Sequence, residues 1–392
     1  MTATHVSTGL ARVLSGAHSH LIGAKLGLIT HPASVTHDLT PTSDAVVGCG
    51  LNIVAMFGPQ HGVGGEKQDN MIESVSFTDT RLGIPVYSLY GHVRKPAVDM
   101  LKGIDAVLFD LQDVGVRVYT FVWTMTLAME ACRDAGTKFV VLDRPNPING
   151  TTREGQVLQA GFESFVGLYA LPLRHGLTTG EIARLTNEHF GIGCELEVVA
   201  CEGWSRTHWY DQTDLPYVIP SPNLPTLDSC TVYPGMVLLE GTNLSEGRGT
   251  TRPFELFGAP YLVAYELTAE LNDLSLPGVV FRACQFEPMF QKYAGQLCGG
   301  AQLHVVDRSA FRPVETAVSI LNLVRRLAPS DFAWRQPPYE YEYTKMPIDI
   351  LWGGDDLRHG IDSGASPGEI MQPVGGSVAE FDRLVEPYLL YG

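Results

Sequence analysis

The chain has 392 residues, 45% of them apolar, with 27 Lys and Arg against 43 Asp and Glu, a formal charge of −16 at neutral pH. That is long enough to bury two cores and too apolar for a disordered polymer. The negative field argues against nucleic acid or an anionic membrane surface as a partner, so an anionic substrate has to be met by a local basic cluster.

The N-terminal stretch "MTATHVSTGLARVLSGAHSH" has no basic region followed by a continuous apolar run, and no segment is long and apolar enough to read as a membrane span. The seven cysteines are scattered without a CxxC pair and read as reduced thiols, which together with the N-terminus makes the cytoplasm the expected location.

In chain order, "AKLGLIT" (24–30), "LNIVAMF" (51–57), "IPVYSLY" (84–90), "IDAVLFDL" (104–111) and "TKFVVLDR" (137–144) read as short buried strands. The clearest helix between them is "YTFVWTMTLAMEACRDAG", with Phe121, Met125, Ala128, Met129 and Cys132 on one face and Gly136 as its stop. A strand near "LYALPLRHG", a helix begun at Thr178-Thr179 and a strand in "CELEVVA" continue the alternation. This order predicts an α/β fold: a Rossmann-like, doubly wound parallel sheet over residues 1–225. The Pro-rich run "LPYVIPSPNLPTLDSC" marks a boundary, after which residues 226–392 read as a smaller α+β C-terminal domain. Its predicted strands are "VVFRACQFEP" and "AQLHVVD", and its predicted helices "YLVAYELTAELNDL" and "RPVETAVSILNLVRRLAP".

Polar residues collect just after the first five strands: His31, the stretch "FGPQHGVGGEKQDN", Arg94, Asp110 with Asp113, and Asp143 with Arg144. Ligands of open α/β sheets bind beyond the carboxyl ends of the strands, so these loops are expected to form one rim; a merely solvated rim is the alternative. No G-x-G-x-x-G follows the first strand and no P-loop occurs, which argues against nucleotide chemistry. Neither H-E-x-x-H nor a Cys/His pair at zinc spacing is present, and no G-x-S-x-G elbow exposes a serine, so nothing in the sequence demands a metal or other cofactor. What remains is carboxylate chemistry of the glycosidase kind, with Glu66, Glu73, Asp110, Asp113, Asp143, Glu154 and Glu246 near the rim. "GTNLSEGRGTTRPFE" adds Arg248 and Arg252, forked donors for a substrate carboxylate or else partners of the local Glu246 and Glu255.

Taken together, "GLITHPASV", "FGPQHG", "IPVYSLYGHVRKP", "FDLQDVGVRVYT", "VVLDRPNPINGTTREG", "LYALPLRHGLTTGEIA", "PSPNLPTLDSCTVYPG", "EGTNLSEGRGTTRPFELFGAP" and "KYAGQLCGGAQLHV" resemble the exo-β-N-acetylmuramidase NamZ family, in order and over nearly the whole chain. The resemblance implies a cleft near the junction of the two domains and release of β-linked N-acetylmuramic acid (MurNAc) from the non-reducing end of peptidoglycan fragments. The expected substrate-binding set is Gln60, His61, Arg94, Arg117, Tyr119, Arg144, His175, Asn243, Glu246, Arg248 and Arg252. The lactyl carboxylate of MurNAc would employ Arg94, Arg117, Arg248 or Arg252. The family pattern carries Glu within F-x-P-E-H-G, where this chain has Gln60. An amide cannot act as a general acid or base. Three readings stay open: Glu66 takes over the acid role; Gln60 only binds while Asp110 or Asp113 does the chemistry; or the chain binds a cell-wall glycan, or acts on another amino sugar, without muramidase turnover.

Overall fold

The structure, a computed structural model, describes residues 3–16, 18–65, 67 and 73–392. Seven strands form the main sheet: β1 (Lys25–Thr30), β2 (Asn52–Gly58), β3 (Phe77–Thr78), β4 (Pro85–Ser88), β5 (Ala106–Asp110), β6 (Lys138–Leu142) and, after a small antiparallel hairpin of β7 (Glu154–Val157) and β8 (Pro172–Arg174), β9 (Leu196–Val199). Their spatial order is β3-β4-β2-β1-β5-β6-β9, all parallel except the edge pair β3–β4.

Side chains alternate across this sheet with the period of two that a strand imposes. Ala106 and Leu108 join a core with Leu10 and Val13 of α1 (Gly9–Leu14) and Val46 of α2 (Thr42–Gly48). Val107 and Phe109 face the opposite core, with α3 (Phe121–Ala135) and α4 (Thr179–Glu188). Both faces are covered, which is why the strands read as near-continuous apolar runs. Helix α3 stops where expected: Gly136 takes a left-handed φ of 67° and its N–H returns to the Arg133 and Cys132 carbonyls. Helix α4 starts at Thr178 in a reciprocal capping box with Glu181.

Two crossovers differ from the expected βα alternation. Between β4 and β5 there is only a single 3-10 turn over Val98–Leu101. Among the described residues no helix joins β2 to β4; that glycine-rich polar connection has no 3.6-residue apolar period to bury.

The C-terminal half builds a separate antiparallel sheet from β10 (Leu256–Ala259), β11 (Val279–Phe286) and β12 (Cys298–Val305), in the order β10-β12-β11. Its helices are α5 (Leu227–Met236), α6 (Ala264–Asp273), α7 (Pro313–Leu327), α8 (Pro347–Trp352), α9 (Asp356–Ser363) and α10 (Pro367–Val385). One apolar core runs from the α3 face of the main sheet through α5 and α7 to α10, so the halves are packed against each other and the seam between them is built in place. Among the described residues no helix is long and apolar enough to cross a membrane.

Candidate active site

At the carboxyl end of β2 the chain leaves the sheet through Gly58 and turns sharply, with His61 at a left-handed φ of 72°. This turn forms one wall of a small cavity, with Val118, Tyr119 and Thr120 just before α3. The facing wall comes from beyond the Pro-rich run: Ser221, Asn223 and Leu224, then Tyr233, Glu240, Arg248 and Phe254, and finally Tyr339 and Glu340.

Gln60 is buried at the centre of a hydrogen-bonded chain. Thr120 Oγ1 donates to Gln60 Oε1 at 2.6 Å, and Gln60 Nε2 donates to the Tyr90 hydroxyl at 3.2 Å. The Tyr90 hydroxyl in turn donates to Glu340 Oε2 at 2.9 Å. The amide orientation follows from this chain, because Tyr90 has one proton to give and can only accept from Nε2.

A second network holds the opposite wall. Glu240 accepts from Arg248 at 2.7 Å and from the Tyr339 hydroxyl at 2.6 Å. Burial pushes the Glu240 carboxyl upward, but Arg248 and the Tyr339 hydroxyl outweigh it and hold it below the usual range, as an anion. Arg248 also faces Glu246 at 3.5 Å, and Lys292 caps Glu246 at 2.9 Å. His61 is pushed down to about 4, first by burial and then by the nearby Arg248, against a hydrogen bond to Lys67 that pulls upward. Its Nδ1 lies 2.7 Å from the Lys67 carbonyl, which can only accept, so Nδ1 carries the proton of the neutral ring.

Left-handed backbone gathers here. His61, Phe254, Glu340 and Tyr341 all have φ between 45° and 72° without being glycine. Such residues cost about 1–3 kcal/mol each and persist where the surroundings over-determine them, as at ligand sites.

The sequence-derived residues divide into two groups. Gln60, His61, Tyr119 and Arg248 line the cavity, and Glu246 sits behind Arg248. Arg94 lies next to them, its guanidinium 3.6 Å from the centre of the Tyr341 ring and 5.2 Å from that of Phe165. The rest are engaged elsewhere. Asp110 at the end of β5 is wholly buried, with Arg144 Nε at 2.5 Å and the Thr42 hydroxyl on its other oxygen, so this pair ties β5 to the loop after β6. Asp113 Oδ2 accepts from the Gly115 N–H at 2.7 Å and lies 3.3 Å from His175 Nε2; both are buried and neither lines the cavity. Arg117 donates to the Leu351 and Trp352 carbonyls, and burial lowers it to about 9. Asn243 bonds to Tyr261, Ala333 and Asp331, away from the cavity. Arg252 is half-exposed against Glu255 at 3.1 Å, the local pairing that was the alternative to a ligand role. Glu66 lies outside the described residues.

Sequence reading passed over Glu240, Glu340 and Tyr339. Glu240 opens the run "EGTNLSEGRG" but stood in a region read for its arginines. Glu340 lies in "PPYEYEY", where the one available signal was a carboxylate between aromatic residues that fit no helix or strand period.

Residues 26–228 match the family described as the N-terminal part of exo-beta-N-acetylmuramidase NamZ, and residues 231–391 match its C-terminal part. The chain is 45% identical over 387 residues, 98% of its own length and 91% of the relative's, to the peptidoglycan beta-N-acetylmuramidase NamZ of Bacillus subtilis strain 168. Two crystal structures of DUF1343-family proteins from Bacteroides fragilis have the same fold. One is 34% identical with a TM-score of 0.89, covering 99% of both chains. The other is 27% identical with a TM-score of 0.75, covering 98% of this chain and 99% of that one. With both halves matched in order and the cavity at their seam, the chain belongs to the NamZ family of exo-β-N-acetylmuramidases.

Proposed function

We propose that the protein is a glycoside hydrolase that releases β-linked MurNAc from the non-reducing end of peptidoglycan fragments. The observation that carries this reading is the small cavity at the seam of the two halves, lined by anionic Glu240 and by Gln60 and Glu340, which Tyr90 links, in a chain matched to this family over both halves. Anionic Glu240 supplies negative charge where an oxocarbenium-like centre would form.

The geometry also favours one arginine for the lactyl carboxylate. Arg248 already faces two carboxylates, Arg252 faces Glu255, and Arg117 is spent on backbone carbonyls. Arg94 has no carboxylate within ion-pair distance among the described residues, and its buried Nε has no hydrogen-bond partner among them. Its stacking on Tyr341 holds the fork rigid, as bidentate recognition needs.

The test is a pair of aryl glycosides, β-MurNAc and β-GlcNAc, which differ by the lactyl group. Wild-type protein is expected to turn over only the first. Arg94→Met, which keeps the stem and removes the fork, should lower kcat/KM on the MurNAc compound by roughly 10–100-fold, the worth of a charge-assisted hydrogen bond. Equal loss on any residual GlcNAc activity would contradict the assignment of Arg94. Binding of both sugars without turnover would favour a glycan-binding protein, the reading that the amide at position 60 supports.

A further inference from the structure

Three metal-binding side chains from distant parts of the sequence meet on the surface beside the N-terminal segment. Thr4 and Thr213 form a parallel bridge, with the Thr4 N–H on the Gln212 carbonyl at 2.8 Å and the Asp214 N–H on the Thr4 carbonyl at 3.0 Å. This pairing sets His5 against Asp214, with Nδ1 2.6 Å from Oδ2. The loop after β1 is closed on itself by the Thr42 N–H on the Ser34 carbonyl and the Thr36 N–H on the Thr40 carbonyl, both at 2.9 Å, and it carries His37. His37 Nε2 reaches the same Asp214 oxygen at 3.1 Å. The other oxygen, Oδ1, accepts the Val6 N–H at 2.9 Å, which fixes the carboxylate plane.

The three atoms, His5 Nδ1, His37 Nε2 and Asp214 Oδ2, all lie within 4.8 Å of one another. A tetrahedral ion with ligands at about 2.0–2.1 Å spaces them by about 3.3 Å, so small rotations of the two rings suffice. The side chains of His5 and His37 are 79% and 51% exposed, so a further coordination position faces water. Two imidazoles and one carboxylate suit Zn2+ and not Ca2+ or Mg2+, which take all-oxygen sets. A second cluster, His18, His20 and Glu197, has similar ligands. There Lys138 Nζ sits 2.6 Å from Glu197 Oε2, the oxygen that His20 faces, and its charge opposes a cation. Asp214 has no Lys or Arg within ion-pair distance among the described residues.

We propose that His5, His37 and Asp214 form a zinc site that staples the N-terminal segment to the loop after β1. Without the ion, each ring donates an N–H to Asp214. With it, each ring turns a lone pair to the ion and carries its proton on the other nitrogen. The stapled loop also carries Ser34 and Val35, which bond to the Asp110 carbonyl and to Arg144, so the ion supports packing at the sheet end. None of the three ligands lines the cavity at the seam, and the site stands independently of the glycosidase reading. No sequence motif announces it, since only the fold brings positions 5, 37 and 214 together.

The experiment uses the full chain without a polyhistidine tag, stripped of metal by a chelator. ZnCl2 is titrated by calorimetry at neutral pH, and CoCl2 by visible absorption. Wild type should bind one Zn2+ per chain, show the Co2+ bands of a four- or five-coordinate nitrogen–oxygen site, and gain about 3 °C in Tm with zinc at about 100 times Kd. His5→Ala, His37→Ala and Asp214→Asn should each weaken zinc binding by more than about 100-fold, beyond the cost of losing an outer hydrogen bond, and abolish the Tm shift. Asp214→Asn keeps an acceptor for the Val6 N–H, so its loss of zinc is not a loss of fold. His20→Ala should bind zinc as wild type does. Zinc held equally well by wild type and His37→Ala, whether through His20 or the exposed Cys49 thiol, overturns the proposal. So does the absence of any zinc-dependent heat and Tm shift in wild type.

Discussion

Gln60 is held as a strut, with Thr120 on its oxygen and Tyr90 on its nitrogen. The substitution Gln60→Glu keeps the shape but changes the arithmetic of protons. Tyr90 has one O–H, which donates to Glu340, so an ionised carboxylate introduced at position 60 would meet a lone pair where the amide N–H now donates. The introduced carboxyl would therefore be driven to keep its proton, with a folded pKa raised above that of the unfolded chain. Its neutral form is present at pH 4 and is lost as pH rises through the raised value, so stability falls with rising pH. Gln60→Glu is expected to cost about 1–3 kcal/mol at pH 8 and markedly less at pH 4.5, by urea unfolding. An equal cost at both values would contradict this account of the chain. The residue change itself was legible in the sequence. Its consequence was not, because Tyr90 and Glu340 stand far from Gln60 along the chain and only the fold brings them to it.

Among the elements, the buried strands and helix α3 followed directly from pattern. The central "AVLF" of β5 and "FVVL" of β6 are apolar without a break because both strands are buried on both faces, and that is the strongest signal a sheet can leave in sequence. Helix α3 carried both its apolar face and its stop at Gly136. Trp123 anchors it, fully buried, with Nε1 donating to the Arg117 carbonyl at 2.7 Å. Trp123→Ala should destabilise the protein by about 3–5 kcal/mol in denaturant unfolding, from the lost burial, the cavity left behind and the orphaned carbonyl. A loss below about 1 kcal/mol would mean the helix is not anchored there. The Tyr339–Glu342 hairpin, with Glu340 and Tyr341 left-handed at its tip where glycine is usual, was invisible for the opposite reason. Its sequence breaks the rule for its own turn, and such a break is intelligible only once the cavity is seen.

Across the whole molecule, four buried groups give the stability a pH dependence with opposing slopes. Burial pushes Asp143 to about 6 and Glu154 to about 7, and in each case outweighs hydrogen bonds that pull down. Burial lowers His31 to about 3 and His61 to about 4. The raised carboxyls bind protons more tightly when folded, so their contribution is present at low pH and is lost as pH rises through about 6 and 7. The histidines bind protons more tightly when unfolded, so their contribution is present above about pH 6.5 and is lost as pH falls toward about 4. The two effects oppose each other between about pH 4.5 and 6.5. Glu154→Gln removes the largest carboxyl share: relative to the variant, wild type should lose about 3 kcal/mol between pH 4.5 and 8, measured by urea unfolding at each pH. A pH-independent difference would contradict a folded pKa of about 7.

The sequence pointed to the sheet end as the site and to a cleft at the junction, and the cavity lies there. Asp110, Asp113 and Arg144 could not be distinguished in advance from cavity residues. Strand-end polar residues serve both to line a site and to tie neighbouring loops together, and only partners decide which. Arg144 on Asp110 ties loops together, while Asp113 and His175 lie side by side and buried.

The most direct measurement is the release of free MurNAc from a MurNAc-GlcNAc disaccharide by the wild-type protein, with its natural Gln60. Steady multiple-turnover release is predicted, in a bell-shaped pH profile. Disaccharide that binds in calorimetry but is recovered intact after long incubation would contradict the account.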